Sequence, residues 1–421
     1  MKLVFLNPTG ILGGAEMCLL DVLDSLRVAR PAWRLSVLLG DDGPLREAVE
    51  RRGLSCALVP LPRSLARLGD AGLGTAKAGT SGQRRLLAQV PEAAWTTAAY
   101  LSRLRRRLRA EAPDRLHTNG MKAHVLGAWS VPRATPVVWH LHDYVGPRPV
   151  MARLLRLSSR RGVSAVAVSE SVAADARRTL GARVPVRTVY NAIDLDRFAP
   201  GKADGGRLDE ASGLSFAPPG TVRVGLVATF ARWKGHEVFL EAAARIASDR
   251  PCRFYIVGGP IYRSAGSQYT LEELRGRAEA LGLAGRLGFT GFQSDPAFAL
   301  RALDVVVHAS TRPEPFGRVI VEGMACGRAV VAVRDGGAAE LFEDGATALG
   351  VPPGDPEALA RALDRLIGDS ELRRRLGNQG RSAALARFDR VRLGAAWASI
   401  FADNTFEDAS GAGREGEEGD E

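Results

Sequence analysis

Residues 303–308, Leu-Asp-Val-Val-Val-His, read as a buried strand, and the loop and helix after them limit the fold more than any other stretch. Pro313 and Pro315 forbid helix until Phe316 or Gly317, so Glu314 sits in a loop. From Gly317 the apolar positions Val319, Ile320, Gly323, Met324 and Gly327 recur at helical spacing. The predicted helix therefore starts with free N–H groups at Phe316, Gly317 and Arg318, which suit an anion or sugar oxygens. Glu314 lies just before this helix and Glu322 about two turns into it. The two carboxylates border one crevice without being neighbours and can grip different parts of one ligand. Structural roles stand beside that reading. A carboxylate at a helix start gains roughly 0.3–1 kcal/mol from the dipole, and Arg318 with Glu322 has the spacing of an i,i+4 pair.

Strand and helix alternate elsewhere. Residues 2–6, 34–39 and 55–59 read as strands, separated by an amphipathic helix reaching about Val28 and another over 45–52. Strands recur at 163–168, 186–190, 222–228, 253–257 and 286–292, two helices fill 356–387, and a last helix covers 388–402. This order predicts an α/β chain of two doubly wound, Rossmann-like domains, 1–200 and 221–387, joined by a Gly- and Pro-rich linker over 201–220. Residues 63–90 lack periodicity and read as a mobile excursion, and the acidic residues 403–421 as a disordered tail. The strand ends at Asp114–Gly120 and Val137–Asp143 are rich in hydrogen-bonding groups, and period-two alternation puts His140 and His142 on one face.

The 421 residues are 46% hydrophobic, enough to fill the cores of two such domains. Residues 1–200 hold 30 Lys and Arg against 16 Asp and Glu, a net charge of +14, and residues 403–421 hold one against eight, or −7. Much of the excess lies on a helix over 93–110, where Arg103, Arg105, Arg106, Arg107 and Arg109 oppose a stripe of Leu101, Leu104 and Leu108. That face suits solvent, or peripheral contact with an anionic membrane. The aromatic interleaving of a nucleic-acid binder is missing, so no nucleic acid is expected. Cys18, Cys56, Cys252 and Cys326 sit in apolar surroundings without C-x-x-C spacing, which implies neither zinc nor disulfides and fits a reducing compartment. No apolar run approaches the ~18 residues of a membrane span. A cytoplasmic protein is expected, peripheral at the inner membrane face if the Arg-rich helix meets lipid. Only five of the 57 basic residues are Lys, which points to a GC-rich bacterial genome.

Glu314 and Glu322, with seven residues between them, Pro-Phe-Gly after the first and Gly-Met-Ala-Cys-Gly-Arg after the second, resemble the E-x7-E signature of the retaining glycosyltransferases of family 4. The loop Gly336-Gly337-Ala-Ala-Glu340, the segment Asn191-Ala-Ile-Asp194 and the run Trp233-Lys234-Gly235-His236 are similar to that family too. The resemblance implies the GT-B fold, two Rossmann-like domains facing a cleft. It also implies transfer of a hexosyl unit from a nucleotide-diphosphate sugar, with retained configuration, to an acceptor whose class (lipid, glycan or natural product) stays open. Site roles come with it. Glu322 would hold ribose and Glu314 the donor sugar. Lys234, the helix start at Phe316, Gly317 and Arg318, and the first-loop glycines Gly13 and Gly14 would hold the diphosphate. His142, with His140 as the one-step alternative, would be the active-site histidine. Neither cofactor nor metal is implied. Members usually carry an Arg five residues before the Lys, where this chain has Thr229. Arg232, two residues before Lys234, would replace it if the loop is extended and both side chains face one way. Two rivals share these motifs, a GT-B sugar-nucleotide epimerase and an inactive sugar-nucleotide binder.

Overall fold

A computed structural model describes residues 1–62, 64–65, 80–260, 266–293 and 295–403, with backbone alone over 80–94. The chain forms two compact units, one from Met1–Tyr190 with the chain from Arg390 onward, the other from Asn191–Asp389.

The first unit is a seven-stranded parallel sheet of β1 (Lys2–Asn7), β2 (Arg34–Leu39), β3 (Ser55–Leu58), β4 (Arg115–Asn119), β5 (Val137–Leu141), β6 (Val163–Ala167) and β7 (Val186–Thr188). Their order across the sheet is β3-β2-β1-β4-β5-β6-β7, so the winding reverses between β1 and β4. Most of these strands are apolar on both faces because helices cover both, and Leu3, Val4, Phe5, Val37, Leu38 and Val137 are fully buried; β4, with His117, Thr118 and Asn119, is the polar exception. The last helix, Arg390–Ala402, lies against the helix Gly14–Ala29. Contact is close because Gly394 has no side chain. A Cβ there would stand 2.5 Å from the Ser25 carbonyl oxygen. Arg390 Nη2 pairs with Asp21 Oδ1 at 2.6 Å, and Trp397 and Phe401 complete the core.

The second unit repeats the plan with six strands, β8 (Val222–Val227), β9 (Cys252–Val257), β10 (Leu287–Gly291), β11 (Val305–His308), β12 (Ala329–Val333) and β13 (Leu349–Val351). Their order, β10-β9-β8-β11-β12-β13, reverses between β8 and β11.

Three expectations are corrected. Residues 201–220 are not a linker: they carry the helix Gly205–Ala211, whose Asp209 is fully buried and accepts from Arg223 Nη2 at 2.8 Å, Ala217 N at 2.9 Å and the Tyr255 hydroxyl. A buried carboxylate with that many donors ties the segment to the second unit. Residues 191–200 belong there too, since Ile193 is fully buried and its N–H donates to the Phe388 carbonyl at 3.1 Å. The excursion is shorter than 63–90, because the Arg-rich helix starts at Thr80 and runs to Glu111. Its basic face is as expected. Leu104 and Leu108 are fully buried, and Arg103, Arg105, Arg106, Arg107 and Arg109 are exposed. The rest of the excursion, apart from residues 64–65, and the tail from 404 onward lie outside the described residues. Asp403, read as the first residue of that tail, pairs with Arg187 at 2.8 Å.

Candidate functional site

In the second unit the chemistry gathers where β8 and β11 diverge, the place where open α/β sheets take ligands. After β8 the chain makes a 3-10 turn, Arg232–Lys234, and then Gly235 at φ +78°. Any side chain at Gly235 would put its Cβ 1.8 Å from the Ala309 carbonyl oxygen. Glycine here lets the loop after β8 press on the loop after β11, where Thr311 N donates to the Trp233 carbonyl at 2.8 Å. That approach brings Lys234 to Glu314. Lys234 Nζ donates to both carboxylate oxygens at 2.8 Å. Ser310 Oγ donates to Glu314 Oε2 at 2.7 Å, and His308 Nε2 stands 3.2 Å from Ser310 Oγ and 3.5 Å from Glu314 Oε2. Burial opposes ionisation of Glu314, but the Lys234 ammonium and the His308 contact outweigh it and hold the carboxyl well below the usual carboxylate range.

The Glu314 backbone is fixed as well, its carbonyl accepting from Gly337 N at 2.8 Å. Gly317 caps the helix Arg318–Ala325, with Phe316 buried behind it. On that helix Arg318 Nε lies 3.3 Å from Glu322 Oε1, so the i,i+4 pair forms, and both side chains are largely buried.

Arg232 does not join this group. The loop is not extended here, and a 3-10 turn rotates residues two apart to different sides. Its guanidinium donates to Glu273 Oε1 at 3.0 Å and to the Gly266 carbonyl at 3.1 Å, and lies 4.4 Å from the centre of the Tyr269 ring. Asp194 is spent locally, its Oδ1 accepting the N–H groups of Asp196 and Arg197 at 3.2 and 3.0 Å.

The first unit gathers its polar groups at the matching place, where β1 and β4 diverge. Asn7 ends β1 and Asn119 ends β4, and Asn119 Nδ2 donates to Asn7 Oδ1 at 2.7 Å. His142, just past β5, has Nε2 2.6 Å from Asn119 Oδ1. His140 is buried against the Trp397 ring, centroids 4.8 Å apart, and burial holds its imidazole neutral, its pKa well below the ordinary value. Of the two histidines weighed from sequence, His142 is therefore the one that is partly accessible. In the first loop, Gly13 donates its N–H to Glu16 Oε2 at 3.1 Å, whereas a Cβ on Gly14 would meet nothing within 4 Å. Gly13 thus serves the helix start, and among the described residues no packing demands glycine at 14.

Two family profiles divide the chain between them. That of Glycosyltransferase Family 4 matches residues 13–197, and that of Glycosyl transferases group 1 matches residues 215–383. The lipopolysaccharide core biosynthesis glycosyltransferase LpsE of Rhizobium meliloti (strain 1021) is 30% identical over 67% of this chain and 76% of its own. The alpha-D-kanosaminyltransferase of Streptomyces kanamyceticus is 31% identical over 73% of this chain and 82% of its own. The chain is a family 4 glycosyltransferase. Among solved structures, this glycosyltransferase is similar to Anabaena Alr3699/HepE in complex with UDP and glucose, at 27% identity and a TM-score of 0.77 over 96% of this chain and all of that one. The sucrose-phosphate synthase of Thermosynechococcus elongatus, 20% identical with a TM-score of 0.73, shares the fold. Both units of this glycosyltransferase carry the Rossmann-like parallel sheets of the GT-B class.

Sequence reasoning assigns no site role to four residues of these two groups in the glycosyltransferase. Ser310 and His308 carry no spacing signal of their own. Asn7 and Asn119 are 112 residues apart and become partners only because β1 and β4 are adjacent.

Proposed function

We propose that this glycosyltransferase moves a hexosyl unit from a nucleotide-diphosphate sugar to a hydroxyl acceptor, with retained anomeric configuration. The observation that carries the reading is the Lys234–Glu314 pair at the reversal point of the second sheet, beside the start of the helix Arg318–Ala325. A leaving diphosphate gains negative charge as the glycosidic bond breaks. Lys234 and the N–H groups at the helix start would stabilise that charge, with the Gly14 backbone assisting. Glu314, kept ionised, would hold the donor sugar and face the positive charge developing at its anomeric carbon. Glu322 would bind ribose, and His142 the sugar or its phosphate. With a fixed ammonium at the diphosphate, turnover needs no divalent cation. The likeness to a protein solved with UDP and glucose supports a uridine diphosphate donor. One relative is named for lipopolysaccharide core biosynthesis and the other for kanosaminyl transfer, so the two names together point to no single acceptor.

The test is donor hydrolysis across UDP-, GDP-, ADP- and TDP-sugars, each with and without EDTA. Turnover is expected with UDP-sugars and unchanged by the chelator. Strict dependence on Mn²⁺ or Mg²⁺ would remove Lys234 from its assigned role.

A further inference from the structure

The arginines of the helix Thr80–Glu111 are one part of a larger basic surface on the first unit. Residues 101–110, 121–133 and 149–161 carry five, two and four Lys or Arg and no Asp or Glu, so nothing in these segments offsets their charge. The helix Met121–Ser130 packs against both the helix Thr80–Glu111 and the helix Pro149–Ser158, and Trp129 ties the three together. Arg105 Nε and Nη2 donate to the Trp129 carbonyl at 3.1 and 3.0 Å, Trp129 Nε1 donates to Ser158 Oγ at 2.9 Å, and the Arg161 guanidinium lies 5.3 Å from the centre of the Trp129 ring. Like charges are thereby crowded. Burial, then the cations Arg133 and Arg105 beside it, lower the pKa of Arg161, and among the described residues no carboxylate pairs with any of the three. Next to them Ser102, Arg105, Arg106 and Arg109 line a surface hollow of about 330 Å³. A phosphate fits such a hollow, because guanidinium groups meet its oxygens with paired N–H donors.

The helix Pro149–Ser158 adds apolar surface. Its residues Ala152, Leu155 and Ser158 are buried against the unit. On its other side Val150, Leu154 and Leu157, at i, i+4 and i+7, form a second stripe that is 47%, 42% and 45% exposed. The exposed Arg153 and Arg160 run along one edge of that stripe. Folding of the unit uses the first face of the helix and leaves the second uncovered.

We infer that this surface docks on an anionic lipid bilayer, the hollow between Arg105, Arg106 and Arg109 taking lipid phosphates while Val150, Leu154 and Leu157 enter the boundary between headgroups and acyl chains. A bilayer matches both parts at once, because its interface sets dense negative charge directly above apolar chains. Arginine suits that boundary, its stem lying along apolar surface while the guanidinium stays at the phosphates. A nucleic acid would satisfy the charge and leave the three apolar side chains in water. The docking is independent of the transfer chemistry, since none of these residues belongs to the groups around Lys234 or Asn119.

Flotation of the full chain with vesicles tests the docking without any substitution. Phosphatidylcholine vesicles holding about one third phosphatidylglycerol should carry the protein at low salt, and pure phosphatidylcholine should bind it about 10-fold less or weaker still. Raising NaCl to about 1 M, where the screening length is about 3 Å, should release most of it. Arg106→Glu with Arg109→Glu should lower binding to the anionic vesicles by about 10-fold or more, and Leu154→Asp with Leu157→Asp should lower it by about the same factor although every arginine remains. All four side chains are exposed, so both variants are expected to keep the wild-type Tm. Equal binding to neutral and anionic vesicles, or no binding to either at low salt, would overturn the inference, as would wild-type binding by the arginine variant. Wild-type binding by the leucine variant would overturn the part given to the helix Pro149–Ser158. Binding to duplex DNA but not to anionic vesicles at the same salt would overturn the bilayer in favour of a nucleic acid.

Discussion

Asn7 and Asn119 in the first unit hold the same topological place as Lys234 and Glu314 in the second. In each unit one partner comes after the first strand of the sheet and the other after the fourth, across the gap where the winding reverses. The first unit fills that place with neutral amides and an imidazole, and the second with an ion pair. Topology therefore selects where polar groups meet, and residue type selects what they can do. Neutral groups in fixed orientation discriminate donors from acceptors. A near-buried ammonium and carboxylate meet a charge that changes during reaction.

Removing the charge centre should have the largest effect. Lys234→Met is expected to lower kcat on the order of 10²–10³-fold, the scale for losing one such donor, while His142→Gln, which leaves the Lys234 ammonium in place, costs less. A loss in His142→Gln equal to that in Lys234→Met would erase the distinction between the two centres.

Acid should separate the units in the opposite sense. Burial lowers the pKa of His117 and His140 well below the ordinary value and that of His124 to about 3, each in the first unit, whereas the second unit has His236 lowered to about 4. The unfolded chain takes up these protons below about pH 6.5 and the folded chain does not, so stability falls as pH falls, by roughly 1.4 kcal/mol per pH unit for each such histidine. Glu314, whose folded pKa is depressed, adds its own loss only below its ordinary value of 4.5. Between about pH 6.5 and 4.5 the first unit should therefore lose stability about three times as steeply. Amide exchange, corrected for intrinsic rate, is expected to show protection of β1, β4 and β5 dropping before that of β8 and β11. Equal slopes in the two sheets would mean that the buried imidazoles are not what sets acid stability.

Within the second unit, the two carboxylates should fail differently. Glu322→Gln is expected to weaken binding of the free nucleoside diphosphate in calorimetry, and Glu314→Gln to lower kcat with nucleotide affinity nearly kept. Equal loss of affinity in both would merge their roles.

Arg232→Ala should have the smallest effect. Its partner Glu273 is exposed, and pairs of that kind contribute about 0–1 kcal/mol. Turnover within about twofold of wild type is expected, and a 10²-fold loss in a kinetic assay would show that Arg232 leaves Glu273 to reach the diphosphate.

The legible and the illegible parts of the sequence divide along a physical line. The loop position of Glu314 and the helix start at Gly317 were legible because proline, glycine and apolar spacing fix local backbone within a few residues, whereas Lys234 and the roles of the two glutamates were read only through the resemblance to family 4. Arg232 misled because an i,i+2 argument holds only for extended chain, and three residues ending in Gly235 curl into a 3-10 turn instead. The 201–220 segment misled because composition reports flexibility only where nothing buries the segment, and Asp209 finds Arg223 and Tyr255.

Alternating strands and helices, the two prolines around Glu314 and the glycines at strand ends determined by themselves that this chain builds two parallel sheets with polar groups at their carboxyl ends. Local sterics and apolar periodicity act over a few residues, which a sequence displays directly. Only the tertiary structure decided that Lys234 meets Glu314 through the gap Gly235 leaves, that Asn119 meets both Asn7 and His142, and that His140 turns inward to Trp397. Those choices depend on which strands become neighbours, and strand order is set by burying both faces of a whole sheet at once rather than by any residue's immediate context.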